Sequence, residues 1–207
     1  MRQNRKNKRF IYLISPNKIK NEEFYTNLNQ VLSSKKVSFF QLRLKKEKII
    51  NRIYIGKKIK KICKKYKVKF LINDDPILAK KINADGCHLG QKDISILNAR
   101  KILKNKIIGI TCHNSINLAK KAISSGANYL AFGAFYSSKT KKTKYKASLK
   151  ILSLAKKLTN TPVVAIGGIK DTNYKKLLLN KANFLAISSY IWNNKKLNPK
   201  EAINKLI

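Results

Sequence analysis

Cysteines are few in this sequence, and they follow no recognisable pattern. Cys63, Cys87 and Cys112 are the three cysteines of the 207-residue chain, and no pair has the CxxC spacing of a zinc or redox site. Their odd number, without a secretion signal, predicts reduced thiols in a cytoplasmic protein rather than a disulfide framework. The apolar run that follows the basic start spans only about five residues, which is too short for the core of a signal peptide.

Long apolar runs are also missing, which excludes a membrane-spanning helix. No segment approaches the roughly 20 apolar residues that a helix needs to cross a bilayer. Hydrophobic residues still make up 43% of the chain, so we predict a globular fold with a substantial core. We expect residues 1–8 to be a basic, flexible lead-in and residues 9–207 to form a single domain.

Acidic residues are scarce, and the balance of charge is strongly basic. Asp and Glu number 9 against 47 Lys and Arg, which gives a formal net charge of +38. Such a charge attracts polyanions, but the lysines are spread along the whole chain, and we interpret them as a compositional bias. Aromatic residues interleaved with basic ones, as on a base-stacking surface, do not stand out. We therefore expect no specific nucleic-acid partner, while a non-catalytic polyanion-binding barrel stays open as an alternative.

Strand-like and helix-like segments alternate along the chain. The predicted strands are 9–15, 37–45, 68–74, 86–90, 107–112, 128–136, 161–168 and 183–191, each followed by a helical pattern. This alternation predicts a parallel sheet with right-handed crossovers. Eight repeats predict an α/β fold of the (β/α)8 TIM barrel type. A flavodoxin-like open sheet needs only five strands and is the less favoured alternative.

The few acids concentrate where two neighbouring strands end. Asp74 follows the apolar run KFLIN, and Asp93 follows GCHLGQ. Because adjacent parallel strands end at the same edge, these carboxylates could share one hard cation, with substrate phosphate oxygens and waters completing its shell. A plainer alternative is that Asp74 and Asp75 cap a helix that starts near Pro76.

A second polar set lies at the end of the second predicted strand. Gln41, Arg43 and Lys45 alternate there, so we expect them to share one face. Gln41 can bind an amide-like edge, and the two cations can hold an anion. The alternative is a strand that runs out into solvent.

Polar residues also follow the remaining strands, where TIM barrels carry their active sites. They are Asn73, Thr111, Ser138, Thr140, Lys141, Gly168, Ser188 and Ser189. The loops after the last two strands are the usual phosphate site, since a glycine such as Gly168 lets the backbone approach an anion. The glycine pair 167–168 alone would equally suit a turn. Taken together, these residues predict a site for two phosphorylated small molecules, one of them bound with a metal ion.

Seven motifs together resemble the thiamine-phosphate synthase family. They are QLRLK (41–45), IND (72–74), ADGCHLGQKD (84–93), IGIT (108–111), TKK (140–142), VVAIGGI (163–169) and ISS (187–189). The resemblance implies a transferase of thiamine biosynthesis that joins 4-amino-5-hydroxymethyl-2-methylpyrimidine pyrophosphate to thiazole phosphate and releases pyrophosphate. Carried over by position, Gln41, Arg43, Lys45 and Asn73 meet the pyrimidine pyrophosphate, Asp74 and Asp93 hold Mg²⁺, Thr111 lies near the pyrimidine, Lys141 meets pyrophosphate, and Ser138, Thr140, Gly168, Ser188 and Ser189 hold the thiazole phosphate.

The implied chemistry is a dissociative, magnesium-assisted substitution. An amino-substituted pyrimidine stabilises a cation at its exocyclic CH₂, so the C–O bond can break first if the leaving pyrophosphate is neutralised. Arg43, Lys45 and Lys141 are then the catalytic residues, because with Mg²⁺ they hold the charge that grows on that group. The thiazole nitrogen attacks the cation held beside it. No general base is required.

One further expectation concerns the histidine of the fourth predicted strand. Cys87 and His88 are neighbours on a strand and point to opposite sides, so we predict no transition-metal site there and expect His88 to support the barrel interior.

A thiazole tautomerase relative shares the barrel and the thiazole-phosphate end, but it would not need the carboxylate pair or the Gln-x-Arg-x-Lys set. We expect small-molecule substrates and no membrane partner, and a homo-oligomer stays open.

Overall fold

Eight parallel strands form a closed barrel in the computed structural model, which describes residues 9–137 and 145–206. The strands are β1 (Ile11–Ile14), β2 (Val37–Leu42), β3 (Lys69–Asn73), β4 (Gly86–Leu89), β5 (Ile107–His113), β6 (Tyr129–Gly133), β7 (Val163–Ile166) and β8 (Phe184–Ile187). Each strand pairs with the next in chain order, and β1 pairs with β8. The predicted TIM barrel is confirmed, and the open sheet is excluded because the sheet has no free edge.

Helices cover the outside of the barrel. They are α1 (Glu23–Ser33), α2 (Ile49–Lys65), α3 (Pro76–Lys81), α4 (Ile96–Leu103), α5 (Ile116–Ser124), α6 (Lys150–Leu158), α7 (Tyr174–Leu179), α8 (Ser189–Trp192) and α9 (Pro199–Asn204). On α2 the buried stripe includes Ile55, Ile59 and Cys63, so Cys63 is a core residue. In the described part of the chain, no helix is long and apolar enough to span a membrane.

Aromatic rings fill the amino-terminal half of the barrel interior. Phe39 packs against Tyr12 and Phe184, with ring centroids 5.5 and 5.0 Å away. Phe184 is the first residue of β8, and Ile107, the first of β5, packs in the same cluster. The amino-terminal half of the barrel is therefore closed by apolar side chains, and a polar ligand has access only at the carboxyl ends of the strands.

The eighth predicted strand is wrong in its second half. The strand ends at Ile187, and residues 189–192 form the short helix α8. Run length and hydrophobicity do not separate a buried strand from a short buried helix, so the sequence NFLAISSYI by itself predicts one strand. Two tertiary contacts favour the helical turn: Ile191 is buried, and Trp192 Nε1 donates to Ile14 O at 2.7 Å. The expected lead-in, residues 1–8, lies outside the described residues.

Gly109 on β5 leaves room for the ring of Tyr129 on β6. A Cβ added at Gly109 would lie 1.8 Å from Cζ of Tyr129. Since overpacking a tight core forces shifts of side chains and backbone, we expect Gly109→Ala to lower the free energy of unfolding by about 1–3 kcal/mol. Gly56→Ala on α2 is the control, because its Cβ would come too close only to the flexible tip of Ile82, at 2.8 Å, and because alanine favours the helix. Equal losses of both variants in urea unfolding would contradict this reading.

Candidate active site

A cavity of ≈ 470 Å³ opens at the carboxyl ends of β2, β3 and β4. Its lining residues are Leu44, Lys45, Arg52, Asn73, Asp74, Asp75, Pro76, Ile77, Asp93 and Ile94. The structure thus brings both predicted metal ligands to one rim, together with Lys45 and Asn73 from the predicted substrate-binding set. The closed parallel barrel is the reason, because it directs the loops after neighbouring strands to the same mouth.

Asp74 and Asp93 meet in this cavity. Asp74 follows β3 with φ 62°, and its backbone N–H donates to His88 O of β4 at 2.7 Å. Asp93 lies in the loop after β4, where its Oδ2 accepts from the Gly90 N–H at 2.7 Å. The two carboxyl groups lie in the same cavity, close enough that each changes the pKa of the other.

The surroundings give these two carboxyl groups different proton affinities. The pKa of Asp93 is raised above its ordinary value. Burial is the main cause and the adjacent carboxylate of Asp74 adds to it, while the Gly90 N–H acts in the opposite direction. Burial also opposes ionisation of Asp74, but the Lys45 ammonium and the contact with Asp93 hold the pKa of Asp74 below its ordinary value. Lys45 Nζ lies 2.7 Å from Asp74 Oδ2. The pair therefore concentrates negative charge that a cation would relieve.

Asp75, unlike Asp74, acts as the helix cap. Its Oδ1 accepts from the Leu78 N–H at 2.8 Å at the start of α3. Its Oδ2 lies 3.3 Å from Arg52 Nη1 of α2. The two alternatives for this segment therefore apply to different residues: Asp75 closes the first turn of a helix, and Asp74 lines the cavity.

The predicted shared face of Gln41, Arg43 and Lys45 is only partly found. Gln41 lies on β2 and is buried, and its Nε2 donates to Asn73 Oδ1 at 2.7 Å. Because β2 ends at Leu42, strand alternation does not place the two cations that follow. Arg43 Nη1 donates to Asn17 Oδ1 at 3.0 Å, in the loop after β1.

The glycine pair after β7 is suited to a close backbone approach. Gly167 and Gly168 have φ 106° and 61°, and a Cβ at Gly168 would lie 2.3 Å from Ser137 O. Ser188 precedes α8, and its hydroxyl donates to Ser15 O at 3.1 Å. Ser189 is the first residue of that helix, not a strand residue as predicted. The predicted residues Ser138, Thr140 and Lys141 lie outside the described residues.

A buried polar chain inside the barrel was not predicted. Tyr12 Oη lies 2.7 Å from Tyr129 Oη, which lies 2.8 Å from His88 Nδ1, and His88 Nε2 lies 2.9 Å from Thr111 Oγ1. Burial lowers the pKa of His88 to about 4, so its ring is neutral near pH 7. The signal in the sequence was a tyrosine in each of two apolar strand runs, since a buried phenol needs a hydrogen-bond partner.

The donors at the rim suit a hard cation. Within residues 9–137 and 145–206, no three His, Cys, Asp or Glu side chains form a metal-binding group. Asp74 and Asp93 supply two carboxylates, which is what Mg²⁺ commonly takes from a protein when substrate phosphates and waters complete its shell. The buried Cys87, by contrast, packs in the outer core, away from the His88 ring. The donor set therefore fits Mg²⁺ and not a soft metal.

Known proteins resemble this chain in sequence and in fold. The family model of thiamine monophosphate synthase matches residues 11–191. The thiamine-phosphate synthase of Pelagibacter ubique is 74% identical over 206 residues, which cover 100% of both chains. That of Nitrosomonas eutropha is 38% identical over 88% of this chain and 86% of its own.

Solved structures agree with this likeness. Thiamine phosphate pyrophosphorylase from Pyrococcus furiosus superposes with a TM-score of 0.85 at 27% identity, covering 98% of this chain and 96% of that one. A 3-hexulose-6-phosphate synthase superposes with a TM-score of 0.67 at 16% identity, covering 95% and 98%. The second likeness shows the barrel fold alone.

Proposed function

The chain belongs to the thiamine-phosphate synthase family of transferases, and we propose that it joins 4-amino-5-hydroxymethyl-2-methylpyrimidine pyrophosphate to thiazole phosphate at this rim. The observation that carries the proposal is the meeting of Asp74, Asp93 and Lys45 in one cavity. A paired carboxylate site beside a lysine suits a metal-bound pyrophosphate, and it repels a bare polyanion. Neither the tautomerase alternative nor the polyanion-binding alternative finds support among the similar proteins.

The pyrimidine pyrophosphate would occupy the β2–β3 side of the mouth. The bond from Gln41 to Asn73 fixes the orientation of both amides, so the Asn73 amide nitrogen is set to donate to a phosphate oxygen. Lys45 lies at the same cavity, and Arg43 follows β2 with its guanidinium held by Asn17. We assign these groups, with Lys141, to the pyrophosphate.

Asp74 and Asp93 would hold Mg²⁺, which when bound neutralises charge on the leaving pyrophosphate. Lys45 keeps the Asp74 carboxylate ionised, and the Gly90 N–H orients Asp93. Each of these contacts prepares a carboxylate ligand before substrate arrives. These contacts, which the fold provides, therefore offset the repulsion between the two like charges.

Two steps of the reaction follow: departure of pyrophosphate and capture of the pyrimidine cation by the thiazole. As the C–O bond of the pyrimidine substrate breaks, Lys45, Arg43 and Lys141 stabilise the charge that develops on pyrophosphate. The thiazole phosphate is assigned to the β7–β8 side, at Gly168, Ser188 and Ser189 with Ser138 and Thr140. Holding the thiazole nitrogen beside the pyrimidine cation makes capture effectively intramolecular. No side chain has to remove a proton in this sequence.

Incubation of the purified chain with both substrates tests the proposal directly. With Mg²⁺ present, we expect mass detection of thiamine phosphate and one equivalent of pyrophosphate. Chelation of the metal should reduce product formation by at least about 100-fold, because the leaving group then loses its main counter-charge. Reactions that lack either substrate are the controls. Absence of product with both substrates and Mg²⁺, or conversion of the thiazole alone, would contradict the proposal.

We also propose a cytoplasmic location, which fits the three buried, unpaired cysteines. Cell fractionation checks the location. A homo-oligomer stays open, and sedimentation of the purified chain decides the oligomeric state.

A further inference from the structure

Four side chains form a hydrogen-bonded chain through the barrel interior, which we call the Tyr12 relay. It runs from Tyr12 on β1 through Tyr129 on β6 and His88 on β4 to Thr111 on β5. Tyr12, Tyr129 and His88 are 1%, 2% and 8% exposed, so water does not substitute for these contacts. The relay connects the aromatic floor of the barrel with its polar mouth.

Thr111 is the outermost member of the relay. His88 pairs in register with Gly109, and Thr111 lies two residues further along β5, on the same side of the sheet. Thr111 is half-buried, whereas the other three members are buried. The backbone of Thr111 is also held, because Gln91 Nε2 donates to its carbonyl oxygen. Its hydroxyl is therefore fixed one layer closer to the mouth than the imidazole.

The direction of the hydrogen bonds follows from counting protons. Among the described residues, Tyr12 Oη has a single partner, Tyr129 Oη. A buried O–H without an acceptor costs about 1–3 kcal/mol, so Tyr12 must be the donor in this pair. Tyr129, which then accepts from Tyr12, directs its own proton to its other partner, Nδ1 of His88.

The same count determines which imidazole nitrogen carries the proton and which way the Thr111 hydroxyl proton points. A neutral imidazole has one N–H, and with Nδ1 accepting, that N–H is on Nε2. Nε2 then donates to Thr111 Oγ1. The hydroxyl proton of Thr111 is left to point away from His88. The opposite direction would leave the Tyr12 proton without an acceptor among the rings of Phe39 and Tyr129.

We propose that the Tyr12 relay makes the Thr111 hydroxyl an obligatory hydrogen-bond donor at the mouth, and so selects a substrate that presents an acceptor there. An aromatic ring nitrogen is such an acceptor, and naming it as that of the pyrimidine rests on the proposed function. Tyr12, Tyr129 and His88 are positioning residues, since they act through Thr111. The relay thus connects an apolar floor to the choice of substrate at the opposite end of the barrel.

Nitrogen NMR of the imidazole tests the direction without any substrate. The chain has two histidines, so comparison of ¹⁵N-labelled full-length protein with its His113→Gln variant assigns His88. Near pH 7 we expect a neutral ring with the proton on Nε2 and a bare Nδ1. A proton on Nδ1 overturns the proposal, whatever the enzyme's turnover.

Tyr129→Phe tests whether the direction depends on the donor to Nδ1. Without the Tyr129 hydroxyl, both directions keep the one bond between Nε2 and Thr111 and leave Nδ1 without a partner, so we expect a mixture of the two tautomers. The KM for the pyrimidine pyrophosphate should rise about tenfold, which corresponds to about 1.4 kcal/mol, while the KM for thiazole phosphate stays unchanged. Tyr66→Phe, at the end of α2, is the matched control and should change neither readout.

The outcomes separate this proposal from the proposed function. An unmixed Nε2–H tautomer and an unchanged KM in Tyr129→Phe would overturn the relay while the enzyme activity stands. A mixed tautomer in a protein that makes no thiamine phosphate would support the directional relay and remove the pyrimidine as its target.

Discussion

Asp93→Asn is expected to lower kcat/KM for pyrophosphate release by about 100- to 1,000-fold while the fold stays intact. The substitution is nearly isosteric, and the amide oxygen can still accept from the Gly90 N–H. What it removes is one of the two negative charges that meet at the rim. Preorganised electrostatic groups contribute about this much to turnover, and the effect should appear in kcat as well as in the Mg²⁺ concentration needed for half-maximal rate.

Asp85→Asn is the matched control for this prediction. Asp85 precedes β4 at the opposite end of the strand from Asp93, and its Oδ2 accepts from the Phe70 N–H at 2.9 Å. Loss of this charged acceptor should cost about 1 kcal/mol of unfolding free energy and leave turnover intact. Binding of Mn²⁺, followed by electron paramagnetic resonance without substrate, should weaken in Asp93→Asn only. Unchanged turnover and unchanged metal binding in that variant would remove Asp93 from the site.

The barrel and the meeting of its carboxylates could be predicted from sequence because both follow from topology. Alternating strand and helix patterns imply parallel strands, and parallel strands bring their following loops to one rim. Asp74 and Asp93 are 19 positions apart in the chain, yet they follow neighbouring strands and meet at the rim. No side-chain detail was needed for that step.

Roles that depend on one local turn could not be predicted in the same way. The sequence offers Asp74 and Asp75 as equivalent caps, and only the positive φ of Asp74 separates the two roles. The end of β2 at Leu42 likewise removed the alternation argument for Arg43. These outcomes depend on where hydrogen bonding to the neighbouring strand stops, which residue type alone does not determine.

The Tyr12 relay was out of reach for a different reason. Its members come from four strands, and Tyr12 and Tyr129 lie on β1 and β6, which do not pair. Contacts across a barrel interior depend on stagger and side-chain size, such as the space that Gly109 leaves for the Tyr129 ring. Periodicity reports which side a residue faces, but not which residue it meets there.

Acidification should destabilise the protein through His88. Its pKa falls from 6.5 to about 4 on folding, chiefly because of burial. Between those values the unfolded chain binds a proton that the folded chain does not, so the free energy of unfolding rises with pH in this window. The stability that His88 contributes is complete above about pH 6.5 and is lost as pH falls towards 4. The full effect is about 3–4 kcal/mol, at about 1.4 kcal/mol for each unit of pKa.

Urea unfolding at pH 7.0, 6.0 and 5.0 in the absence of ligands checks this prediction. His88→Gln should be less stable at pH 7.0, because the Tyr12 relay is broken, but its stability should change much less over this range. His113→Gln removes the other histidine and should keep the slope of the parent chain. Carboxyl groups whose pKa is lowered on folding, such as Asp74, contribute stability that is lost mainly as the pH falls below about 4.5. This lower pH range separates their effect from that of His88. Equal slopes for the parent chain and His88→Gln would show that His88 is not the group that opposes protonation.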